Sequence, residues 1–141
     1  MSYPVVLITG GARGIGAGIA KSFLKAGYST MIADIGVHSD KTDWAYEFAT
    51  PSDINALKKE SPDLRACFVD VTNFKSCQEA VSQTIESFGR LDVLINNAGV
   101  VNSGPIESFD ENAWDKIFEA VSYTHLRAHE TPEHLVCRLL V

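Results

Sequence analysis

The stretch TGGARGIG, residues 9–16, decides the fold, because it joins a segment typical of a buried strand to one typical of an amphipathic helix. Before it, the run PVVLIT at 4–9 is continuously apolar, which is typical of a strand buried on both faces of a parallel sheet. After it, an apolar residue recurs every four positions until Gly27, as Ile15, Ile19 and Phe23. This period predicts a helix that packs one face on the sheet and ends at a glycine.

Three glycines of this turn, Gly10, Gly14 and Gly16, predict a site for a phosphorylated ligand. Glycine leaves no side chain between backbone and ligand, and the amides and dipole at a helix N-terminus attract a pyrophosphate. Such a pattern is weak by itself, but here it follows a predicted strand and opens a predicted helix, as the motif requires. A glycine-rich turn that binds no ligand is the alternative.

The rest of the chain alternates between the same two kinds of segment. We predict strands over 29–34 and 65–71, a fourth strand with its exit over 91–99, and helices capped by Thr50, by Asn73 and by the SFDE sequence of 108–111. Pro51 and Asp53 support the first of these helix starts, and Gly89 ends the helix that begins at Asn73. This alternation predicts the α/β class, with a Rossmann-type doubly wound parallel sheet truncated to about four strands with flanking helices.

Apolar residues mark one face on each of two later helices. On the helix that begins at Asn73, this stripe consists of Phe74, Cys77, Val81, Ile85 and Phe88. On the last helix, one face consists of Trp114, Ile117, Phe118 and Val121. We expect these residues to define how the two helices are oriented.

Composition and charge argue against several kinds of partner. The 141 residues have a net charge of −6 and no cluster of Lys or Arg, which argues against nucleic acid. No apolar run is long enough to span a membrane, and the N-terminus lacks a signal-peptide pattern, so we expect a cytoplasmic protein. The three cysteines, Cys67, Cys77 and Cys137, have no CxxC spacing, and we expect free thiols, with Cys67 and Cys77 buried. His125 and His129 could share a helical face, but no further ligands accompany them, so we expect no metal site.

Asp34 ends the second predicted strand and indicates which nucleotide the turn binds. A carboxylate at this position can accept hydrogen bonds from both hydroxyls of an adenosine ribose and repels a 2′-phosphate, so it favours NAD over NADP. Arg13, inside the glycine-rich turn, favours NADP instead, because its guanidinium could bind that phosphate. We give Asp34 more weight and predict NAD, with NADP the less favoured cofactor. Capping of a turn is the alternative role for Asp34.

Three motifs in order, TGGARGIG at 9–16, DV at 70–71 and NNAG at 96–99, resemble the short-chain dehydrogenase/reductase family over residues 4–121. The resemblance implies an oxidoreductase that transfers hydride between NAD(P) and a carbonyl or secondary alcohol. It also implies a small-molecule alcohol or carbonyl substrate and a homo-oligomeric parent protein. In the family, the matching residues bind the cofactor: Gly10, Arg13, Gly14, Ile15, Gly16, Asp34, Asp70, Val71, Asn97, Ala98 and Gly99. Asn96 would instead brace the sheet.

The segment between the second and third strands is longer than the family pattern. It contains GVHSDKTDWAYEFATPSD, residues 36–53, whose last part resembles an insertion of mycofactocin-associated and carveol-dehydrogenase-like members. These members hold NAD tightly and oxidise secondary alcohols. We interpret the segment as a lid beside the adenosine half of the site, and a solvent-exposed loop packed by its own aromatic residues is the alternative.

The catalytic residues of the family are missing from this sequence. Family members use a Ser, a Tyr further along the chain that passes a proton, and a Lys one helical turn later that lowers the pKa of that Tyr. Here Ser122 is adjacent to Tyr123, and Arg127 stands in the place of the Lys. Arginine cannot replace that lysine, because it binds differently and never gives up its proton. We therefore assign no catalytic residue and expect the chain to be inactive as it stands.

The sequence from Val121 onward, VSYTHLRAHETPEHLVCRLLV, differs in character from the rest of the chain. It resembles a tail that recurs on unrelated translated environmental sequences, where it arises from reading through a sequencing adapter. We therefore divide the chain into a partial NAD(P)-binding Rossmann domain at 1–121 and a non-native tail at 122–141. Two other functions remain open. One is a non-catalytic NAD-binding module, and the other is an NAD-dependent epimerase or dehydratase of the same fold, against which NNAG argues.

Overall fold

The computed structural model describes residues 3–37, 48–100, 105, 107 and 109–128. Its strands are β1 (Val5–Thr9), β2 (Ser29–Asp34), β3 (Leu64–Phe68) and β4 (Val93–Ile95). Its helices are α1 (Gly14–Lys25), α2 (Pro51–Glu60), α3 (Phe74–Phe88) and α4 (Glu111–Ala128), and a 3-10 turn (Ile35–Val37) follows β2. Strands and helices therefore alternate along the chain as the sequence predicts.

The four strands form one parallel sheet in the order β3-β2-β1-β4. The chain builds the sheet outward from β1 to β3 and then returns to place β4 on the other side of β1. Every residue of β1 and β2 is buried, including the polar residues Ser29, Thr30 and Asp34 of β2, as expected for strands covered on both faces. The predicted α/β class and doubly wound parallel sheet are confirmed.

Helices cover both faces of the sheet, because alternate residues of each strand point to opposite sides. On one face, the buried residues Val6, Ile8 and Ile32 pack with residues of α1 and α2. On the other face, Leu7 and Met31 pack with residues of α3. The core is therefore two apolar layers separated by the sheet.

Two strands are shorter than predicted, for reasons that lie in their exit turns. β3 ends at Phe68 rather than at residue 71, because the amide of Asp70 donates to the Ser76 hydroxyl, 2.9 Å away, as the chain turns into α3. β4 ends at Ile95, because the next amides that face β1 donate to a side chain, the Thr9 hydroxyl, instead of to backbone carbonyls.

The helix ends follow their predicted caps in two of three cases. Thr50 and Asp53 form a reciprocal capping box at the start of α2. Asn73 caps α3, which ends at Gly89 in the left-handed conformation, with φ of +80°. The start expected for α4 is wrong by two residues, since the helix begins at Glu111 and the Asp110 carboxylate accepts from the amide of Asn112.

The apolar stripes have mixed outcomes. On α3, Cys77, Val81, Ile85 and Phe88 pack against the core as expected. Phe74, the first residue of the helix, is instead 47% exposed. On α4, Trp114 and Phe118 are 53% and 50% exposed and stack on each other with ring centroids 5.1 Å apart.

Two of the three cysteines lie in the described part of the chain, and both are free thiols. Cys67 is buried, and burial raises the pKa of its thiol to about 11, so the thiolate is disfavoured. Cys77 is half-buried. No helix among the described residues is long and apolar enough to cross a lipid bilayer.

Two predictions fall partly outside the described residues. Within the lid predicted for residues 36–53, residues 38–47 lie outside the described part of the chain, so the role of the lid stays a prediction. The same holds for the tail, of which residues 129–141 lie outside the description. α4 itself continues across the predicted boundary at residue 121 as far as Ala128.

Candidate nucleotide-binding site

The turn between β1 and α1 is packed so closely that side chains would not fit at two of its predicted glycines. A Cβ on Gly10 would lie 2.9 Å from the Cα of Ala98, and a Cβ on Gly16 would lie 2.1 Å from the carbonyl oxygen of Gly10. Gly14 is different, since nothing lies within 4 Å of its Cβ position, and its φ of +54° is the reason for glycine. Its open side faces away from the protein, where a ligand could approach the backbone.

A further glycine of the turn, Gly11, was not singled out from the sequence. A Cβ there would lie 2.8 Å from Cγ2 of Ile32 in β2 and 3.0 Å from the carbonyl oxygen of Ile8. Gly11 therefore allows the turn to pass directly over the sheet. Only a knowledge of which strand lies beneath the turn reveals this requirement.

Thr9 and Asn97 join the ends of β1 and β4. The Thr9 hydroxyl accepts hydrogen bonds from the amides of Asn97 and Ala98, each at 3.1 Å. The Asn97 side-chain amide donates to the carbonyls of Thr9 and Gly10, at 3.1 and 3.0 Å. Asn97 therefore braces β1 against β4 through its side chain, and the bracing role expected for Asn96 stays a prediction. Thr9 is a further site residue that the sequence did not identify.

The Asp34 carboxylate lies at the carboxyl end of β2 and holds two backbone amides. Oδ2 accepts from the amide of Ala12 at 3.1 Å, and Oδ1 accepts from the amide of Gly36 at 3.0 Å. Asp34 is buried. The carbonyl of Ala33, the residue before it, accepts from the amide of Gly10 at 2.8 Å. A carboxylate has about four lone-pair positions, so Asp34 can brace the turn and still accept two ligand hydroxyls.

Arg13 and Ile15 occupy the exposed side of the turn. The Arg13 Nη1 donates to the carbonyl of Phe48 at 3.3 Å, on the segment that leads into α2. Ile15 is 79% exposed in the first turn of α1, which is an unusual position for a large apolar side chain. The neighbouring amides in the first turn of α1 have no carbonyl partners within the helix.

The Asp70–Val71 pair lies on the next strand exit. The amide of Val69 donates to the carbonyl of Asp34 at 3.4 Å, which sets this exit beside Asp34. The Asp70 carboxylate accepts from the amide and hydroxyl of Thr72, at 2.9 and 2.7 Å, so it shapes its own turn. Val71 packs against the core layer below α3.

All of the predicted cofactor residues therefore lie along one edge of the sheet, where the strands end. In open parallel sheets, ligands bind at this edge, at the point where the strand order reverses. Here that point lies between β1 and β4, with Gly10 on one side and Ala98 on the other. Among the described residues, no group of three His, Cys, Asp or Glu side chains could hold a metal ion. The arrangement suits an elongated ligand that carries a pyrophosphate and a ribose.

Comparison with known proteins gives consistent matches. The family model described as short chain dehydrogenase matches residues 4–128. Galactitol 2-dehydrogenase of Agrobacterium fabrum is 33% identical over 119 residues, which are 84% of this chain and 41% of that protein. The 7alpha-hydroxysteroid dehydrogenase of Bacteroides fragilis is 32% identical over 81% of this chain and 41% of its own length.

Solved structures agree with these relatives. Carveol dehydrogenase from Mycobacterium avium, in complex with NAD, is 27% identical and has a TM-score of 0.76 over 94% of this chain. A 3-ketoacyl-(acyl-carrier-protein) reductase from Brucella melitensis, complexed with NADH, is 27% identical and has a TM-score of 0.74 over 93% of this chain. This chain covers 49% of each of these two structures, so it spans about half of their length.

Proposed function

This chain belongs to the short-chain dehydrogenase family, and on that premise we propose that it binds NAD at the carboxyl edge of its sheet. A nicotinamide cofactor is common to the solved relatives named above. The chain would supply the cofactor-binding half of an oxidoreductase that transfers hydride between NAD(P) and a carbonyl or secondary alcohol. The nicotinamide supplies the hydride chemistry when it is bound, and the residues of this chain bind and orient it.

The glycine-rich turn is suited to the pyrophosphate. The backbone at Gly14 is open to solvent, and the first amides of α1 have no carbonyl partners within the helix. The positive end of the α1 dipole adds to the attraction for a doubly charged group. Ile15 would lose its unfavourable exposure when the cofactor covers the turn. On the opposite side, Ala98 and Gly99 would allow close approach at the end of β4.

The Asp34 carboxylate is the single observation on which the proposal of NAD rests. It is held by two backbone amides at the end of β2 and keeps lone pairs for the two ribose hydroxyls. A 2′-phosphate in the same place would meet a buried negative charge, which disfavours NADP. Arg13, the residue that would favour NADP, is hydrogen-bonded to Phe48 instead.

The reaction itself would depend on more protein than this chain contains. The chain spans about half or less of the named relatives, so substrate, catalytic residues and assembly are proposals about the longer protein. We propose a small-molecule alcohol or carbonyl substrate, a homo-oligomeric parent and a cytoplasmic location. The carveol-dehydrogenase-like subgroup and the division into 1–121 and 122–141 stay predictions, although the family match continues to residue 128.

Titration of NAD and NADP into the 141-residue chain tests this proposal. The wild-type chain should bind NAD more tightly than NADP by isothermal titration calorimetry. Asp34→Ala should weaken NAD binding by about tenfold or more, because hydrogen bonds to a charged group are worth about 1.5–3 kcal/mol. NADP binding should weaken less, since the repulsion of its 2′-phosphate is also removed.

Asp63→Ala is the matched control, because it removes an exposed carboxylate from the turn before β3. It should leave both affinities as they are in the wild type. Thermal unfolding of each variant separates a loss of binding from a loss of folding. An NAD-to-NADP affinity ratio that Asp34→Ala leaves unchanged would rule out the ribose role.

A further inference from the structure

The two oxygens of the Asp70 carboxylate are in different situations. Oδ1 accepts from both the amide and the hydroxyl of Thr72, at 2.9 and 2.7 Å. Among the described residues, none donates a hydrogen bond to Oδ2. A carboxylate has about four lone-pair positions, so Oδ2 keeps its capacity to accept from a ligand. The two hydrogen bonds from Thr72 therefore determine which oxygen stays available.

The backbone of Asp70 is held on both sides. Its amide donates to the Ser76 hydroxyl at 2.9 Å, and its carbonyl accepts from the amide of Asn73 at 3.0 Å. Ser76 is buried, and Asp70 is half-buried. Because the backbone is fixed in this way, the hydrogen bonds from Thr72 decide how the carboxylate itself is turned.

The order of the strands indicates which part of a nucleotide lies beside Asp70. The sheet has the order β3-β2-β1-β4, and ligands of such sheets bind across the strand ends. The pyrophosphate turn follows β1, and Asp34, the proposed ribose ligand, ends β2. Asp70 follows the next strand, β3, and the amide of Val69 donates to the Asp34 carbonyl at 3.4 Å. In a nucleotide, the group beyond the ribose is the base.

An oxygen that can only accept distinguishes purine bases by the group at their position 6. Adenine has an amino group there, which donates, whereas hypoxanthine has a carbonyl, which accepts. A carboxylate oxygen can bind the amino group and repels the carbonyl. A site that is built around one hydrogen bond rejects an analogue that lacks the donor, because the polar group of the site then stays unpaired.

We propose that Thr72 is a positioning residue for base selection: its amide and hydroxyl hold Oδ1 of Asp70, so that Oδ2 accepts from the 6-amino group of adenine. This inference rests on the proposed NAD site, in which Asp70 lies beside the adenine. It adds to that site the atom that distinguishes the base and the residue that orients this atom. Thr72 acts through Asp70 rather than through its own contact with the nucleotide.

Calorimetric titration of two dinucleotides into the 141-residue chain tests the inference. One is NAD, and the other is nicotinamide hypoxanthine dinucleotide, in which a carbonyl replaces the 6-amino group. The wild-type chain should bind NAD more tightly by about tenfold or more, because a hydrogen bond to a charged group is lost in the analogue. Thr72→Val removes the hydroxyl but keeps the amide, and it should lower this ratio by about threefold. Thr72→Ser keeps the hydroxyl and should retain the wild-type ratio.

Asp70→Asn gives a second readout, with the opposite sign. The two donors of Thr72 should hold the amide oxygen in the place of Oδ1, so the amide nitrogen takes the place of Oδ2 and donates. This variant should therefore bind the hypoxanthine dinucleotide more tightly than NAD. In Asp70→Asn combined with Thr72→Val, one of the two donors is missing, and the reversed preference should weaken.

Several results would overturn the inference. An unchanged ratio in Thr72→Val would mean that the hydroxyl does not orient Asp70. Equal weakening of both dinucleotides in Thr72→Val, with a lower unfolding temperature, would leave only a structural role. A preference for NAD that persists in Asp70→Asn would mean that another group distinguishes the base. A wild-type chain that binds neither dinucleotide would overturn the proposed function itself, whereas equal affinity for both would overturn only the roles of Asp70 and Thr72 in base selection.

Discussion

At the scale of single residues, the site depends on glycines, which have no Cβ atom, and on side-chain hydrogen bonds between neighbouring strands. Gly16 belongs to α1 and yet lies against the carbonyl of Gly10, so the helix starts within contact of the strand exit. Asn97 and Thr9 hold β1 and β4 together at the same place, through side-chain hydrogen bonds of 3.0–3.1 Å. The ends of these two strands are therefore cross-linked by side chains at the place where the cofactor is proposed to bind.

Substitution of Gly16 tests this close approach. Gly16→Ala should lower the free energy of unfolding by about 1–3 kcal/mol, because its Cβ would overlap the Gly10 carbonyl and force the turn to move. NAD affinity should fall with it. Calorimetric titration and urea unfolding measure the two effects.

Gly18→Ala is the control, since it lies on the same helix with nothing within 4 Å of its Cβ position. This change should raise the free energy of unfolding by about 0.5–1 kcal/mol, because alanine loses less backbone entropy than glycine in a helix. Similar effects of the two substitutions would show that the turn tolerates a side chain at residue 16.

At the scale of elements, the cap of a helix shapes the turn that leads into it from the preceding strand. α3 begins one residue after Asn73, whose side chain accepts from the amide of Ser76 at 3.2 Å. The Ser76 hydroxyl in turn accepts from the amide of Asp70. The cap therefore does more than start a helix, since it also shapes the turn that carries Asp70 and Val71 beside Asp34.

Asn73→Ala should therefore destabilise the protein by about 1 kcal/mol, the usual cost of losing an N-cap. Chemical unfolding monitored by circular dichroism measures this loss. Ser82→Ala, at an exposed position within the same helix, should cause no loss, because alanine is the better helix former. Equal losses in the two variants would contradict a specific role of the cap.

At the scale of the whole molecule, the strand order places the cofactor residues of four separate loops at one edge. β1 is central, and its first residue is anchored at the opposite edge by Asp92, whose Oδ2 accepts from the amide of Val5 at 2.8 Å. Asp92 also accepts from Arg90, with 2.8 Å between Nε and Oδ2. One edge of the sheet is thus stabilised by charge, while the other stays available for a ligand.

This anchor predicts a dependence of stability on pH. The hydrogen bond from Arg90, with a smaller contribution from the Val5 amide, holds the pKa of Asp92 below its ordinary value. A pKa that is lower in the folded state adds stability above about pH 4, and this stability is lost as the pH falls further. Asp92→Asn should therefore destabilise the protein at pH 7, and its difference from the wild type should shrink toward pH 3.

Urea unfolding at both pH values measures that difference, with Asp63→Asn as the control for removal of an exposed carboxylate. The control should show no comparable change between pH 7 and pH 3. A difference between Asp92→Asn and the wild type that is as large at pH 3 as at pH 7 would mean that the anchor does not depend on ionisation.

The sequence by itself determined the features that depend on neighbouring residues. The apolar run before Gly10, the helix after it, the capping box at Thr50 and the left-handed Gly89 are local preferences of backbone and side chain, and the structure has each of them. The same local patterns, taken in order, indicated a parallel sheet. They also identified Asp34 as a residue that favours NAD and Arg13 as one that favours NADP.

Only the tertiary structure decided which distant residues meet. It showed that the Asn97 side chain braces β1, that the side chain of Ile32 leaves room only for glycine at position 11, and that Phe74 is exposed at the start of its helix. It also brought Phe48 against Arg13 across 35 positions of sequence. None of these contacts could be read from the sequence, because each depends on the direction of a side chain and on the packing of a segment far away along the chain.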